Sequence, residues 1–148
     1  MNLRIVGLAV LTTGVAAFAG DAERAKLMGG WESQNGTGSN RETWLFEAKG
    51  DAVHVTYLQG DKKLAEFECD TDGKDCVTKV AGHSAKVSLW FNGPKLVELE
   101  TRGSEVVKRR FAIAGAGEEM DLEIIPIASD AKAETVHFKR AGIAASSK

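Results

Sequence analysis

Residues 86–101 read Lys-Val-Ser-Leu-Trp-Phe-Asn-Gly-Pro-Lys-Leu-Val-Glu-Leu-Glu-Thr, and they decide the fold class. Apolar side chains recur at every second position on both sides of the central Asn-Gly pair, which is the period of a half-buried β-strand. Asn-Gly between two such runs is a strong hairpin signal, because both residues adopt the positive φ angles of a tight turn. The stretch therefore predicts two antiparallel strands. In the second strand we expect Val97 and Leu99 to point inward and Glu98 and Glu100 to face solvent.

The same alternation extends outward from this hairpin, with turn residues every eight to twelve positions from residue 41 onward. Such a pattern is typical of an all-β sandwich or barrel. The predicted strands are 29–34, 41–48, 53–58, 64–69, 86–91, 95–101, 105–114, 118–127 and 135–140, with irregular chain at 77–85. Consecutive tight turns favour an antiparallel up-and-down barrel of eight or nine strands, which leaves no free sheet edge. A sandwich is the alternative, and a short helical turn is expected at residues 21–28.

The amino terminus has the three-part layout of a secretory signal peptide. Arg4 lies in a short basic start, residues 5–16 are an almost uncharged apolar run, and Ala17-Phe18-Ala19 fits an A-x-A cleavage site. The apolar run is shorter than the roughly 20 residues that span a bilayer. We therefore expect residues 1–19 to be removed and the protein to be exported, to the periplasm or outside the cell, without membrane insertion.

Removal of this segment would leave 129 residues with a net charge of −3. That length allows one domain with a hydrophobic core. The mildly acidic balance argues against nucleic acid as a partner, because nucleic-acid binding requires a basic surface. Residues 20–141 are expected to form the single barrel domain, and the small polar residues 142–148 a disordered tail.

Cys69 and Cys76 are the two cysteines of the chain. Exported proteins fold in an oxidising compartment, so a disulfide is the expected state of this pair. Asp72-Gly73 lies between them and signals a turn. The bridge would join two strands across a short loop and would stabilise the fold by about 2 kcal/mol.

Two sets of polar residues are candidates for a metal site. The acidic segment 70–75 has its glycine at the fourth position and lacks the glutamate at the twelfth that an EF-hand requires, so a solvated turn is expected. His54, His83 and His137 fall on separate strands or loops. We expect no metal and no cofactor. The sequence contains no Gly-x-Ser-x-Gly motif, and we predict no catalytic residue.

Both ends of the mature chain resemble a lipocalin-type barrel. Gly29-Gly30-Trp31 fits the Gly-x-Trp that opens the first strand in that superfamily, and Arg140 resembles the arginine that packs across this tryptophan from the last strand. A planar guanidinium can stack on an indole face while it donates to nearby carbonyls. The resemblance implies structural roles for Gly29, Trp31 and Arg140 at a closed end of the barrel.

The chain is also similar to a group of small secreted bacterial proteins with lipocalin-like domains. The matching stretches are Gly29 to Glu32, Glu47 to Asp51, Asp70 to Thr78 and His137 to Arg140. The two cysteines depart from the pattern of that group. The group has no settled activity, so the resemblance implies a fold and a location and carries over no catalytic residue.

One charged side chain is expected inside the barrel. In a regular strand over residues 105–114, Arg109 shares its face with Val107, Phe111 and Ile113. A buried cation needs a partner, and an arginine does not lose its proton. Arg109 could pair internally or lie near the barrel mouth, or a bulge could turn Arg110 inward instead. Alternatively, Arg109 could receive the carboxylate of an amphipathic ligand.

That last alternative defines a candidate ligand site. Its predicted residues are Trp44, Phe46, Tyr57, Phe67, Arg109 and Phe111. A barrel of this size is either filled by its own side chains or holds one small molecule. The leading interpretation is an exported protein that binds an apolar or amphipathic small molecule. The alternative is a periplasmic protein-interaction module, such as a hydrolase inhibitor with a filled barrel, and an enzyme ranks third.

Overall fold

The computed structural model describes residues 19–127 and 129–142. Within these ranges an α-helix, α1 (Ala19–Leu27), comes before ten β-strands, and a 3-10 turn (Gly38–Asn40) follows the first strand. The strands are β1 (Gly29–Ser33), β2 (Glu42–Lys49), β3 (Ala52–Gln59), β4 (Lys62–Asp70), β5 (Asp72–Val80), β6 (His83–Asn92), β7 (Lys95–Arg102), β8 (Glu105–Ala114), β9 (Glu119–Pro126) and β10 (Glu134–Arg140). The predicted signal peptide, residues 1–19, and the predicted tail, residues 142–148, lie outside the described residues except for Ala19 and Gly142.

The ten strands form a closed antiparallel barrel. Each strand pairs with the next one in sequence, and β1 pairs with β10 to complete the circle, with Trp31 opposite Arg140. This confirms the predicted all-β up-and-down barrel with a short amino-terminal helix, and it excludes the sandwich. No helix formed by the described residues is long and apolar enough to span a membrane.

The prediction of eight or nine strands is wrong because β5 occupies the segment expected to be a loop followed by irregular chain. Along β5 only Val80 is buried, so the strand lacks the apolar alternation that marks its neighbours. Gly73 has φ +80°, and the pairing with β6 shifts register between Asp72 and Asp75. Asp72 and Gly73 therefore form the irregular start of β5 and do not form a loop between two strands.

The seam between β4 and β5 has the shortest ladder among the described strands. Its ladder consists of one residue pair, Ala65 opposite Val80. The predicted disulfide between Cys69 and Cys76 is confirmed, and it joins the two strands with their Cα atoms 5.9 Å apart. A covalent bond thus links the two strands where backbone hydrogen bonds are sparse.

The predicted orientation of β7 is also wrong. Asn92 pairs with Lys95 across a two-residue turn, which places Glu98 opposite Leu89 and Glu100 opposite Val87. Because paired residues share a face of the sheet, both glutamates point into the barrel with those apolar side chains. Both glutamates are buried. Val97 and Leu99 lie on the opposite, outer face, where Val97 is also buried.

Turns at alternate ends of successive strands give the barrel two distinct ends. The helix end contains α1 and the turns near residues 50, 71, 93 and 116. The far end contains the segment 34–41, the turns near residues 60, 81 and 103, and the connection from β9 to β10. The buried core between them includes Phe46, Val55, Leu89 and Phe111.

Candidate functional site

The helix end is closed by an arginine stacked on a tryptophan. The Arg140 guanidinium carbon lies 3.9 Å from the centre of the Trp31 ring, and the Trp31 side chain is fully buried. Arg140 donates to the carbonyls of Met28 and Lys26, while Trp31 Nε1 donates to the Leu27 carbonyl at 2.9 Å. These contacts fix α1 across the barrel end.

Gly29 leaves room for this stack. Its φ of +110° is a conformation that side chains rarely adopt, and a Cβ atom there would lie 3.0 Å from Arg140 Nη1. The structure thus places Gly29, Trp31 and Arg140 together at one end.

Aromatic rings meet across the middle of the barrel. Phe111, on β8, lies 4.9 Å from the Trp44 ring and 5.0 Å from the Phe46 ring, both on β2. These strands are not neighbours in the sheet, so the contacts cross the interior. We call Trp44, Phe46 and Phe111 the aromatic cluster.

Arg109 lies on the far-end side of this cluster and is already paired. Its Nη1 donates to Glu98 Oε1 at 2.8 Å and to Glu100 Oε2 at 2.9 Å. The three side chains are 17%, 2% and 8% exposed respectively. The β8 ladder is regular, so Arg109 points inward as predicted, and an internal pairing satisfies it.

Tyr57 and Glu42 extend this polar group toward the far end. The Tyr57 hydroxyl donates to Glu42 Oε1 at 2.7 Å, and its ring stacks on Trp44 with the ring centres 4.3 Å apart. We call Glu42, Tyr57, Glu98, Glu100 and Arg109 the polar cluster.

Burial dominates the electrostatics of the polar cluster. Loss of solvation raises the pKa of Glu98 above its ordinary value, although the Arg109 charge opposes that shift. Burial and the hydrogen bond to Glu42 raise the pKa of the Tyr57 phenol, which stays neutral. Burial by itself lowers the pKa of Arg109, but Glu98 and Glu100 together raise it, so the guanidinium stays charged.

Two buried polar atoms in this region lack a hydrogen-bond partner among the described residues: Glu98 Oε2 and Trp44 Nε1. Buried polar atoms are nearly always paired, so each unpaired one requires an explanation. One is an acceptor and the other a donor, and both belong to residues that contact Arg109.

Two clefts open at the far end beside the polar cluster. One, of about 340 Å³, is lined by Ser104–Val107, Pro126 and Ser129. The other, of about 330 Å³, is lined by Glu42 together with residues from the β1–β2 connection and β10. Val107 is the ladder partner of Glu100, so the first cleft also borders the cluster. A third cleft, of about 280 Å³, lies at the helix end beside Ala48 and Phe91.

The six predicted ligand residues all face the interior. Trp44, Phe46, Tyr57, Arg109 and Phe111 are brought together, whereas Phe67 lies on β4 near the disulfide. The three histidines lie on different strands and have different neighbours. His54 lies near Glu66 and Glu68, His137 contacts Asp121, and His83 begins β6.

Sequence reasoning missed the three carboxylates of the polar cluster. A signal for two of them was present, because a two-residue turn at Gly93-Pro94 places Glu98 opposite Leu89. Following the register from the turn, instead of the apolar alternation of β7 alone, finds Glu98 and Glu100. Glu42 begins β2 and shares the face of Trp44 and Phe46, so the alternation that marks Arg109 could have found it.

The sequence matches no known protein-family profile, and no curated protein is significantly similar to it. Solved structures do share its architecture. A secretory abundant heat soluble protein from Ramazzottius varieornatus aligns with a TM-score of 0.65 at 15% identity, over 78% of this chain and 96% of that chain. The Schistosoma mansoni fatty acid binding protein, solved in complex with arachidonic acid, aligns with a TM-score of 0.65 at 15% identity, over 80% and 98%.

Caenorhabditis elegans lipid binding protein 8 aligns with a TM-score of 0.63 at 8% identity, over 79% of this chain and 96% of that chain. At such identities the likeness concerns the fold alone. The chain therefore has the closed antiparallel barrel of the lipocalin-like and fatty-acid-binding-like proteins.

Proposed function

We propose that the protein binds one small apolar or amphipathic molecule at the far end of its barrel. The observation that carries this proposal is the polar cluster, which lies between two clefts and an apolar interior. A few convergent polar groups in a mostly apolar concavity are the usual composition of a small-molecule site. Trp44, Phe46, Tyr57, Phe67, Arg109 and Phe111 are its proposed lining inside the barrel, and other residues line the two clefts at its far end.

The likeness of fold supports the same class of ligand. Two proteins that share this barrel are named for fatty acid and lipid binding, and one of them was solved with arachidonic acid. The clefts of about 330 and 340 Å³ match the lower end of the volumes of small-molecule pockets. We therefore propose a single small ligand.

Titration with the uncharged dye N-phenyl-1-naphthylamine tests this function. We expect saturable fluorescence enhancement at one dye per protein. Val107→Trp, which fills a far-end cleft, should weaken dye binding about tenfold or more. The matched control is Ala48→Trp, because Ala48 is exposed and lines the cleft at the helix end. Absence of saturable binding, or loss of binding in Ala48→Trp alone, would contradict the proposal.

We further propose that the protein acts in the periplasm or outside the cell, as the resemblance to small secreted bacterial proteins implies. The Cys69–Cys76 disulfide is compatible with an oxidising compartment. Fractionation of cells that express the chain with and without residues 1–19 tests this location. Recovery of both forms in the cytoplasm would contradict it.

A protein-interaction module is the second candidate. The observation that favours it is the aromatic cluster, which fills the middle of the barrel with side chains. Val77 and Ile127 are also exposed, at 75% and 54%. If this candidate is correct, the dye does not bind. A purified periplasmic hydrolase is then inhibited by the wild type and is not inhibited by the Val77→Asp variant.

A further inference from the structure

We propose that the polar cluster selects an amphipathic ligand whose head group is a protonated amine, and disfavours a carboxylate. This inference rests on the proposed function and names its ligand class. It assigns the head group to the carboxylates of Glu98, Glu100 and Glu42. The apolar tail would occupy the far-end clefts.

The balance of charge is the first argument. Three carboxylates, those of Glu42, Glu98 and Glu100, accompany a single cation, Arg109, which already donates to two of them. A ligand carboxylate would add a fourth acidic group in a region of low dielectric, where like charges repel strongly. A protonated amine would reduce the excess negative charge.

The unpaired Glu98 oxygen is the second argument. Oε1 of Glu98 accepts from Arg109, but among the described residues no donor reaches Oε2, and the side chain is 2% exposed. A buried carboxylate oxygen without a donor is costly. An ammonium group carries up to three N–H donors, and its charge favours the ionised form of Glu98, so on binding it can satisfy Oε2 and still donate to a second carboxylate.

Aromatic faces beside these carboxylates are the third argument. Trp44 and Tyr57 stack with their ring centres 4.3 Å apart, and Trp44 already has the Arg109 guanidinium carbon 5.8 Å from its ring centre. The electron-rich faces of such rings attract cations. Carboxylates combined with indole and phenol rings form an environment that favours a cationic head group.

Competition among three twelve-carbon compounds tests the inference. Dodecylamine, dodecanol and dodecanoic acid share one tail and differ in head group. Each is titrated at pH 7 against bound N-phenyl-1-naphthylamine, below the concentration at which it forms micelles or leaves solution. One charge-assisted hydrogen bond corresponds to about a tenfold change in affinity. We expect dodecylamine to displace the dye at about tenfold lower concentration than dodecanoic acid, with dodecanol between them.

Variants assign this preference to the cluster. Glu98→Gln and Glu100→Gln should each reduce the advantage of dodecylamine over dodecanol about tenfold. The matched control is Glu123→Gln, because Glu123 pairs with Arg110 at 3.0 Å on the outer face of the barrel and is 41% exposed. Thermal melts verify that each variant folds, and two independent variants keep the test decisive if one of them does not.

The outcomes separate the inference from the proposed function. If dodecanol or dodecanoic acid competes as well as dodecylamine, or if Glu123→Gln has the same effect as Glu98→Gln, the inference is wrong. If the dye binds but no twelve-carbon compound displaces it, the inference is also wrong. In that case the proposed function stands. If the dye itself does not bind, both are wrong.

Discussion

Arg140 combines three interactions at the helix end, so its removal should be costly. It stacks on Trp31 and donates to the carbonyls of Met28 and Lys26. Charged hydrogen bonds and a cation–π contact of this kind together contribute about 2–3 kcal/mol. We predict that Arg140→Ala lowers the free energy of unfolding by that amount, measured by urea denaturation.

The neighbouring lysine provides the control for this prediction. Lys139 lies on the outer face, is 56% exposed, and reaches Glu32 only at 3.6 Å. Surface pairs of this kind contribute at most about 1 kcal/mol. Equal losses in Lys139→Ala and Arg140→Ala would contradict the role of the stack.

Glu98 should make stability depend on pH. Burial raises its pKa in the folded state above the ordinary value, so the native protein retains a proton that the unfolded chain releases. Its contribution to stability is therefore fully present below the ordinary pKa and is lost as pH rises through the folded pKa. We predict that Glu98→Gln gains stability relative to the wild type as pH increases from 4 to 7, by up to roughly 1 kcal/mol per pH unit.

The groups around Glu98 determine which variants the pH measurement must compare. Arg109 remains charged and Tyr57 remains neutral over this range, since the pKa of each is raised. Glu100 contacts the same guanidinium, so Glu100→Gln is the comparison variant within the polar cluster. Thermal melts of Glu98→Gln, Glu100→Gln and the outer-face control Glu123→Gln at each pH distinguish them, and a pH-independent difference for Glu98→Gln would contradict the prediction.

At the scale of elements, the seam between β4 and β5 depends on few bonds. Beside the single ladder pair, the described contacts across it include the Ala81 amide donating to the Leu64 carbonyl at 2.8 Å, and the disulfide. We predict that reduction of the disulfide, or the double substitution Cys69→Ala with Cys76→Ala, lowers the free energy of unfolding by about 2 kcal/mol.

Hydrogen exchange localises this effect. Amides of β4 and β5 should exchange faster after reduction, because local opening needs less free energy once the covalent link is lost. Amides in the β2–β3 ladder, which pairs eight residues on each strand, are the internal reference. Uniform acceleration over both regions would show that the disulfide stabilises the whole barrel and not the seam.

Five strands show what the sequence could and could not predict. The apolar alternation of β6, β8 and β9 is strong, and their inward residues, including Arg109, are as expected. β5 was missed because a strand that buries only Val80 carries little periodic signal. The alternation of β7 is misleading because Val97 and Leu99 share an apolar face while Glu98 and Glu100 share the opposite face, so only pairing across the turn decides its orientation.

This distinction explains why the candidate site was predicted only in part. The aromatic side chains and Arg109 follow from patterns within single strands. The carboxylates that pair with Arg109 come from another strand, so they depend on register. The identity of a charged partner inside a barrel is a property of pairing between strands, and hydrophobic periodicity within one strand does not contain it.

At the scale of the whole molecule, the two barrel ends have different constructions. Trp31, Leu27 and Arg140 close the helix end with apolar packing, and Trp31 and Arg140 donate to carbonyls of α1. The far end carries the polar cluster and two clefts. Because the aromatic cluster lies between the ends, it determines how deeply a ligand from the far end can reach.

Phe111 is the residue at which stability and ligand affinity should change in opposite directions. Its side chain is fully buried and contacts both Trp44 and Phe46 across the interior. Truncation of a buried phenylalanine to alanine costs about 3–5 kcal/mol, since the cavity relaxes only partly. We predict that Phe111→Ala loses that much stability but binds N-phenyl-1-naphthylamine more tightly, because the new space is continuous with the far end.

A second buried phenylalanine controls for cavity formation itself. Phe138 is also fully buried, but it lies on β10 two residues before Arg140, toward the closed end. Phe138→Ala should lose a similar free energy of unfolding without tighter dye binding, because its cavity does not open to the far end. Equal gains in dye affinity for both variants would show that the dye enters any interior cavity, and that the far end is not the route of entry.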